Sequence, residues 1–93
     1  MASRPQGSRV TVKHDPERQQ FFVVVEGQRC LLDYERQPDR VLITHTRVPD
    51  ALAGRGIAAE LTRVALAWIR AQGLIVIPVC SYAARFLERE ARL

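Results

Sequence analysis

The sequence predicts an α+β fold in which four strands are followed by a helix, a fifth strand and a last helix, in the order ββββαβα. The first 46 residues hold four runs rich in β-branched and aromatic side chains, separated by turn signals. Residues 57–72 carry apolar side chains at helical spacing. The short apolar run after that helix predicts a strand parallel to its predecessor across a helical crossover, in an otherwise antiparallel sheet.

Length and composition restrict the classes of protein that the chain can belong to. Its 93 residues make one domain, expected at residues 9–93 behind a disordered tail at residues 1–8. There is no apolar run of about 18 residues and no apolar leader at the start, so we expect no membrane span and a cytoplasmic location. The net charge of +4 favours anionic partners. Dispersed arginines and few aromatic residues argue against nucleic acid as that partner.

The cysteines and histidines predict neither a disulfide framework nor a metal centre. Cys30 and Cys80 lie in apolar runs, which is typical of buried reduced thiols. His14 and His45 are the two histidines, and neither has the spacing to other ligands that a zinc site requires.

Turn residues divide the first half of the chain into four strands. A turn signal at residues 14–17 ends the first strand, Gly27 with Gln28 makes a hairpin, and Pro38 lies in the third turn. The predicted strands are residues 9–13, 21–26, 30–35 and 41–46.

The fourth strand is followed by Val48 and Pro49, where regular pairing should end. Proline has no N–H for the ladder, so the strand must bulge or splay here and leave backbone groups of its neighbours free. The sequence therefore predicts a local gap in the sheet beside residues 47–49.

The second half of the chain predicts two helices around one strand. The first helix buries an apolar stripe against the sheet and ends at Gly73, a natural residue to follow a helix. Residues 74–79 then form an interior strand, interrupted at Pro78, and Ser81 caps a last helix at residues 82–91. The apolar stripe of the first helix consists of Ile57, Leu61, Val64, Ala65 and Trp68.

The start of the first helix predicts a place to hold a phosphate. Backbone N–H groups in a first turn lack intrahelical partners, and the helix dipole adds positive charge there. Gly54 and Gly56 let the backbone approach a pyrophosphate closely. Arg55 between them either adds a charge-assisted bond to phosphate or is a solvated turn residue, and we favour the phosphate contact.

Three motifs occur together in order and spacing: HT-VP (His45, Thr46, Val48, Pro49), GRGIA (residues 54–58) and PVCSY (residues 78–82). Together they resemble the small, single-domain branch of the GNAT N-acetyltransferase superfamily. The resemblance covers nearly the whole chain and implies a minimal GNAT-like fold, with its parallel strand pair splayed to bind acetyl-coenzyme A. The pantetheine arm would lie in the gap between the strands, and the pyrophosphate on the loop at residues 54–59.

The resemblance also implies which residues bind the cofactor. One departure is Ala53, which stands where the superfamily usually has Gln or Arg, so that Arg55 is expected to compensate for a missing phosphate contact. The implied cofactor-binding residues are Arg47, Val48, Ala53, Gly54, Arg55, Gly56, Ile57, Ala58, Ala59 and Cys80.

Three side chains are candidates for catalysis of acyl transfer. His45 is either the base that deprotonates the acceptor amine or a packed strand residue. Tyr82 is either the acid that protonates the leaving thiolate, as in many relatives, or a core tyrosine. Cys80 is either a nucleophile or a residue lining the thioester pocket. A backbone N–H near Val48 would stabilise the oxyanion.

The leading hypothesis is a small acetyl-coenzyme A-dependent N-acetyltransferase in which an amine attacks the thioester directly. The alternative is a module that binds coenzyme A or acetyl-coenzyme A without efficient transfer. The acceptor is a small molecule or a protein amine. The chain would act as a monomer or a homodimer, because its acceptor side is open or completed by another molecule.

Overall fold

Five strands form one sheet in the order β1-β2-β3-β4-β5 in the computed structural model, which describes residues 10–92. Strands β1 to β4 are antiparallel neighbours and β5 runs parallel to β4, so the predicted α+β fold and strand order are confirmed. The elements are β1 Lys13–Asp15, β2 Gln20–Val25, β3 Gln28–Arg36, β4 Arg40–Arg47, a 3-10 turn Asp50–Leu52, α1 Ile57–Ala71, β5 Ile75–Pro78 and α2 Ser81–Ala91.

The first strand lies further along the chain than predicted. It was expected at residues 9–13, but pairing with β2 begins at Lys13, and the predicted turn moves to residues 16–19. Side-chain packing explains the shift. The ring of His14 stacks on Phe21 with centroids 4.0 Å apart, and His14 Nε2 is 2.7 Å from the Tyr34 hydroxyl. The tail predicted at residues 1–8, together with residues 9 and 93, lies outside the described residues.

The core lies between one face of the sheet and α1. The predicted stripe of α1 faces inward: Ile57, Leu61 and Ala65 are buried, and Trp68 packs edge-on against His14. Strands β2 and β3 and the first half of β4 alternate buried and more open positions, so one face of the sheet carries the core. The core residues contributed by the sheet include Phe21, Val23, Cys30, Leu32, Tyr34, Val41 and Ile43.

The last helix begins one residue earlier than its predicted cap implies. Ser81 was expected to cap the helix, but Ser81 is its first helical residue and Cys80 is the N-cap. Cys80 has the extended backbone (φ −69°, ψ 134°) that an N-cap position requires. Neither helix of the described chain has the length and apolar character needed to cross a membrane.

Stability should depend on pH through His14. Its pKa is lowered because burial penalises the charged ring, an effect that the negative charge of Asp15 partly opposes. Below its ordinary pKa of about 6.5, the unfolded chain therefore binds a proton at His14 that the folded chain resists. We expect the free energy of unfolding, measured by urea titration, to fall between pH 7.5 and pH 5.5, with a smaller fall in His14→Gln. An equal fall in both proteins would contradict this role.

Candidate functional site

Strands β4 and β5 pair over only four residues and then separate. The parallel ladder runs from Arg40 opposite Ile75 to Ile43 opposite Pro78. Beyond it, the N–H groups of Val79 and Cys80 both donate to the carbonyl of Ile43, at 3.0 and 2.9 Å. The chain turns away from β4 at this point to begin α2. The structure therefore places a gap beside the last residues of β4, in the region where the sequence predicts one.

A β-bulge at Thr44 determines which backbone groups face this gap. Tyr34 of β3 is opposite Ile43 and Asp33 is opposite His45, so Thr44 is an extra residue on β4. The carbonyl of Ile43 faces β5. After an ordinary alternation Thr44 and Thr46 would face β3, but the extra residue reverses the phase. The N–H and C=O groups of Thr46 consequently face the gap.

The same register distinguishes the two residues that follow Thr46. Because backbone groups alternate along a strand, those of Arg47, which is opposite Leu31, face β3, whereas those of Val48 face the gap. Arg47 and Val48 were both among the implied cofactor-binding residues, but the register directs only the backbone groups of Val48 into the gap. Pairing of β4 does end after Arg47, as predicted, but the bulge lies upstream at Thr44.

The gap continues into a groove at the start of α1. Gly56 is the N-cap of this helix, with a left-handed backbone (φ 80°) and no side-chain cap. The first-turn residues Ile57, Ala58 and Ala59 line the groove, whose volume is about 300 Å³. The groove is lined by Val48, Leu52, Ala53, Gly54, Gly56, Ile57, Ala58, Ala59 and Tyr82. Most of the predicted cofactor-binding residues are thus brought together, along with Leu52, which sequence reasoning missed.

Gly54 leaves space at the wall of this groove. Its φ of +84° lies in the left-handed region that disfavours other residues, and no protein atom lies within 4 Å of the position that a Cβ would take. A ligand can therefore approach the backbone closely here. Uncapped first-turn amides beside bare backbone have the chemistry of an anion site.

Arg55 does not line the groove. Its Nη1 atom is 2.7 Å from Glu26 Oε2, and this ion pair joins the loop before α1 to the β2–β3 turn. The phosphate contact expected of Arg55 is therefore not preformed in the protein alone.

Cys80 lies where the gap meets α2. Its Sγ atom is 3.5 Å from Thr46 Oγ1, across the space between β4 and α2. Burial alone would raise the pKa of this thiol, but the Thr46 hydroxyl and the backbone amides of Ala83, Tyr82 and Thr46 together lower it. Thr46 belongs to a motif singled out in the sequence, but its contact with Cys80 crosses 34 positions and has no local signal.

The two cysteines should react at different rates with an alkylating agent. Cys30 is fully buried and burial raises its pKa, whereas Cys80 is partly exposed with a lowered pKa. Because the thiolate is the nucleophile, we expect iodoacetamide at pH 7 to modify Cys80 before Cys30 in the folded protein. Peptide mass spectrometry measures both sites in one sample. The urea-unfolded protein, in which both cysteines should be labelled equally, is the reference. Equal labelling of the two cysteines in the folded protein would contradict the lowered pKa of Cys80.

The structure separates the remaining candidates. Tyr82 is half-buried and lines the groove, with its ring 6.4 Å from that of Phe86. His45 is exposed and lies opposite Asp33 in the ladder. Since successive side chains in a strand alternate, His45 and Thr46 point to opposite faces of the sheet. Cys80 and Tyr82 therefore lie together at the start of α2, and His45 lies on the other side of the gap.

Comparison with known proteins identifies the class of protein to which this fold and this gap belong. A family model described as GCN5-related N-acetyl-transferase matches residues 20–93. The chain belongs to this family. It is similar to Protein NATD1 of Bos taurus, with 38% identity over 86 residues that cover 89% of this chain and 76% of that protein. Protein NATD1 of Homo sapiens is 37% identical with the same coverage, and that of Danio rerio is 31% identical over 84 residues, or 87% of this chain and 76% of the fish protein.

Proposed function

We propose that the chain is an acetyl-coenzyme A-dependent N-acetyltransferase whose amine acceptor attacks the thioester directly. The observation that carries this proposal is the continuity of the strand gap with the uncapped start of α1. A linear ligand with amide groups along its arm and phosphates at one end matches such a groove. Family membership supports the same class of reaction.

The residues present fit acetyl-coenzyme A. The backbone groups of Thr46 and Val48 that face the gap are suited to hydrogen bonds with the amides of the pantetheine arm. Gly54 and the first-turn amides of α1 are suited to the pyrophosphate. Acetyl-coenzyme A supplies an activated acyl group when bound. This placement brings the acyl end toward Cys80 and Tyr82 at the other end of the groove.

The proposed chemistry assigns a task to each group near the gap. A lysine-like amine of pKa about 10.4 is neutral in roughly one molecule in 2,500 at pH 7, an obstacle of about 4.6 kcal/mol, so a base or desolvation is required. His45 is the candidate base, and the acceptor amine would reach it from the face of the sheet on which His45 lies. The N–H of Val48 would stabilise the oxyanion, and Tyr82 would protonate the leaving thiolate.

Cys80 provides a test of direct attack. Its position at a helix N-terminus favours a thiolate, which would permit a covalent acetyl-cysteine route instead. Under direct attack, Cys80→Ala should keep kcat within about tenfold of wild type, and mass spectrometry after incubation with acetyl-coenzyme A should find no acetyl group on Cys80. An adduct that forms and decays at the rate of turnover would establish the covalent route.

Two measurements test the proposed function itself. Calorimetric titration with coenzyme A and acetyl-coenzyme A measures binding, and thiol release across a library of small amines and peptides measures transfer. We expect both, with no comparable binding to a DNA fragment. Binding without thiol release by any acceptor would favour the alternative function, a coenzyme A-binding module. The two free thiols fit a reducing compartment, so we place the proposed activity in the cytoplasm, in a monomer or homodimer.

A further inference from the structure

The β2–β3 turn touches the proposed phosphate site through Glu26. The carboxylate of Glu26 bonds the guanidinium of Arg55 across 29 positions of sequence, at 2.7 Å, with both side chains partly exposed. Arg55 lies between two glycines that line the groove. Glu26 is therefore bonded to the cation that the sequence predicts for phosphate.

Glu26 has a backbone conformation that its residue type disfavours. Its φ is +51° and that of Gly27 is +76°, the pattern of a two-residue hairpin turn with both central residues left-handed. Asn, Asp and Gly are the residues preferred at such positions, and a glutamate there is held in a sparsely populated region. An unfavourable residue that bonds a neighbouring site indicates a role beyond the turn itself.

We propose that Glu26 occupies Arg55 in the ligand-free protein and is displaced from it when the phosphate groups of coenzyme A bind, so that Glu26 sets cofactor affinity. This inference rests on the proposed function. A guanidinium binds phosphate in a bidentate manner, and the phosphates of the ligand carry more negative charge than one carboxylate, so the exchange is favourable. Glu26 nevertheless weakens binding, because its own ion pair is lost and its charge lies near the incoming phosphates.

The test is calorimetric titration of coenzyme A into wild type and a charge series at position 26. An exposed ion pair is worth little, so Glu26→Gln should tighten the dissociation constant about two- to fivefold, and Glu26→Lys should tighten it further. In an Arg55→Gln background the effect of Glu26→Gln should shrink to below about 1.5-fold, because the residue for which Glu26 competes is gone.

Glu90→Gln is the matched control. Glu90 forms a similar exposed ion pair with Arg70, at 3.0 Å, near the far end of α1. Its removal changes the net charge by the same amount, so it should alter coenzyme A affinity by less than about 1.5-fold. If Glu26→Gln changes coenzyme A affinity no more than Glu90→Gln does, the inference is overturned, since Glu26 would then act only through long-range electrostatics.

The remaining outcomes separate this inference from the proposed function. Weaker binding by Glu26→Gln would mean that Glu26 orients Arg55 toward phosphate, and the competition is then excluded while coenzyme A binding stands. An equal effect of Glu26→Gln with and without Arg55 also excludes competition. If wild type and every variant fail to bind coenzyme A, the proposed function and the inference fall together.

Discussion

Val48→Pro should lower kcat about 100- to 1,000-fold. The substitution removes the backbone N–H that the register directs into the gap between β4 and β5. If this N–H stabilises the oxyanion of the proposed reaction, its loss has the size expected for one preorganised donor. Steady-state measurement of thiol release at saturating acetyl-coenzyme A gives kcat directly.

Two further variants show whether the donor causes this loss. Val48→Ala keeps the N–H while it removes side-chain atoms, so it should retain kcat within a few-fold. Tyr82→Phe removes the proposed acid, and its loss should be smaller because a thiolate is already a good leaving group. Equal losses in Val48→Pro and Tyr82→Phe would refute this order. Circular dichroism of all three proteins checks that the sheet is retained.

Gly54→Ala should weaken coenzyme A binding about tenfold or more. Gly54 lines the groove with φ +84°, and a Cβ there meets no protein atom within 4 Å, so the new methyl group occupies space at the groove wall. The substitution also forces alanine into the left-handed region, at a cost of about 1–2 kcal/mol. Calorimetry measures the affinity, and urea titration the free energy of unfolding.

Gly73→Ala separates backbone strain from ligand contact. Gly73 follows α1 with φ +72°, and a Cβ at this position also meets no protein atom within 4 Å, but Gly73 does not line the groove. The two variants should lose similar stability, and only Gly54→Ala should lose affinity. A similar loss of affinity in both variants would show that strain, not the groove wall, is responsible.

The order of the elements could be predicted because each carries a local signal. The stripe from Ile57 to Trp68 has the helical period, and the glycines before it mark where the helix begins. Most of the groove follows from that helix start, which explains why the sequence alone groups Ala53, Gly54 and residues 56–59, all of which line the groove. Local signals of this kind need no knowledge of distant contacts.

The remaining features depend on contacts that no local pattern encodes. In the run from Val41 to Thr46 the apolar Leu42 interrupts the alternation, so the sequence does not show that the strand changes phase at Thr44. The position of β1 depends on the fit of His14 between Phe21 and Tyr34. Likewise, the pairing of Arg55 with Glu26 is fixed only when the β2–β3 turn reaches the loop before α1.

The bulge at Thr44 constrains later changes in the length of β4 more than it constrains the identity of residue 44. The Thr44 hydroxyl makes one exposed bond, to the carbonyl of Asp33 at 3.3 Å, so losing this bond should cost little. Deleting Thr44 alone would place His45 directly after Ile43 in regular alternation, and the backbone of Thr46 would still face the gap. A one-residue insertion after His45 would instead turn the backbone of Val48 toward β3. Over evolutionary time, this strand should therefore accept substitution or loss of residue 44 but resist insertions between His45 and Val48.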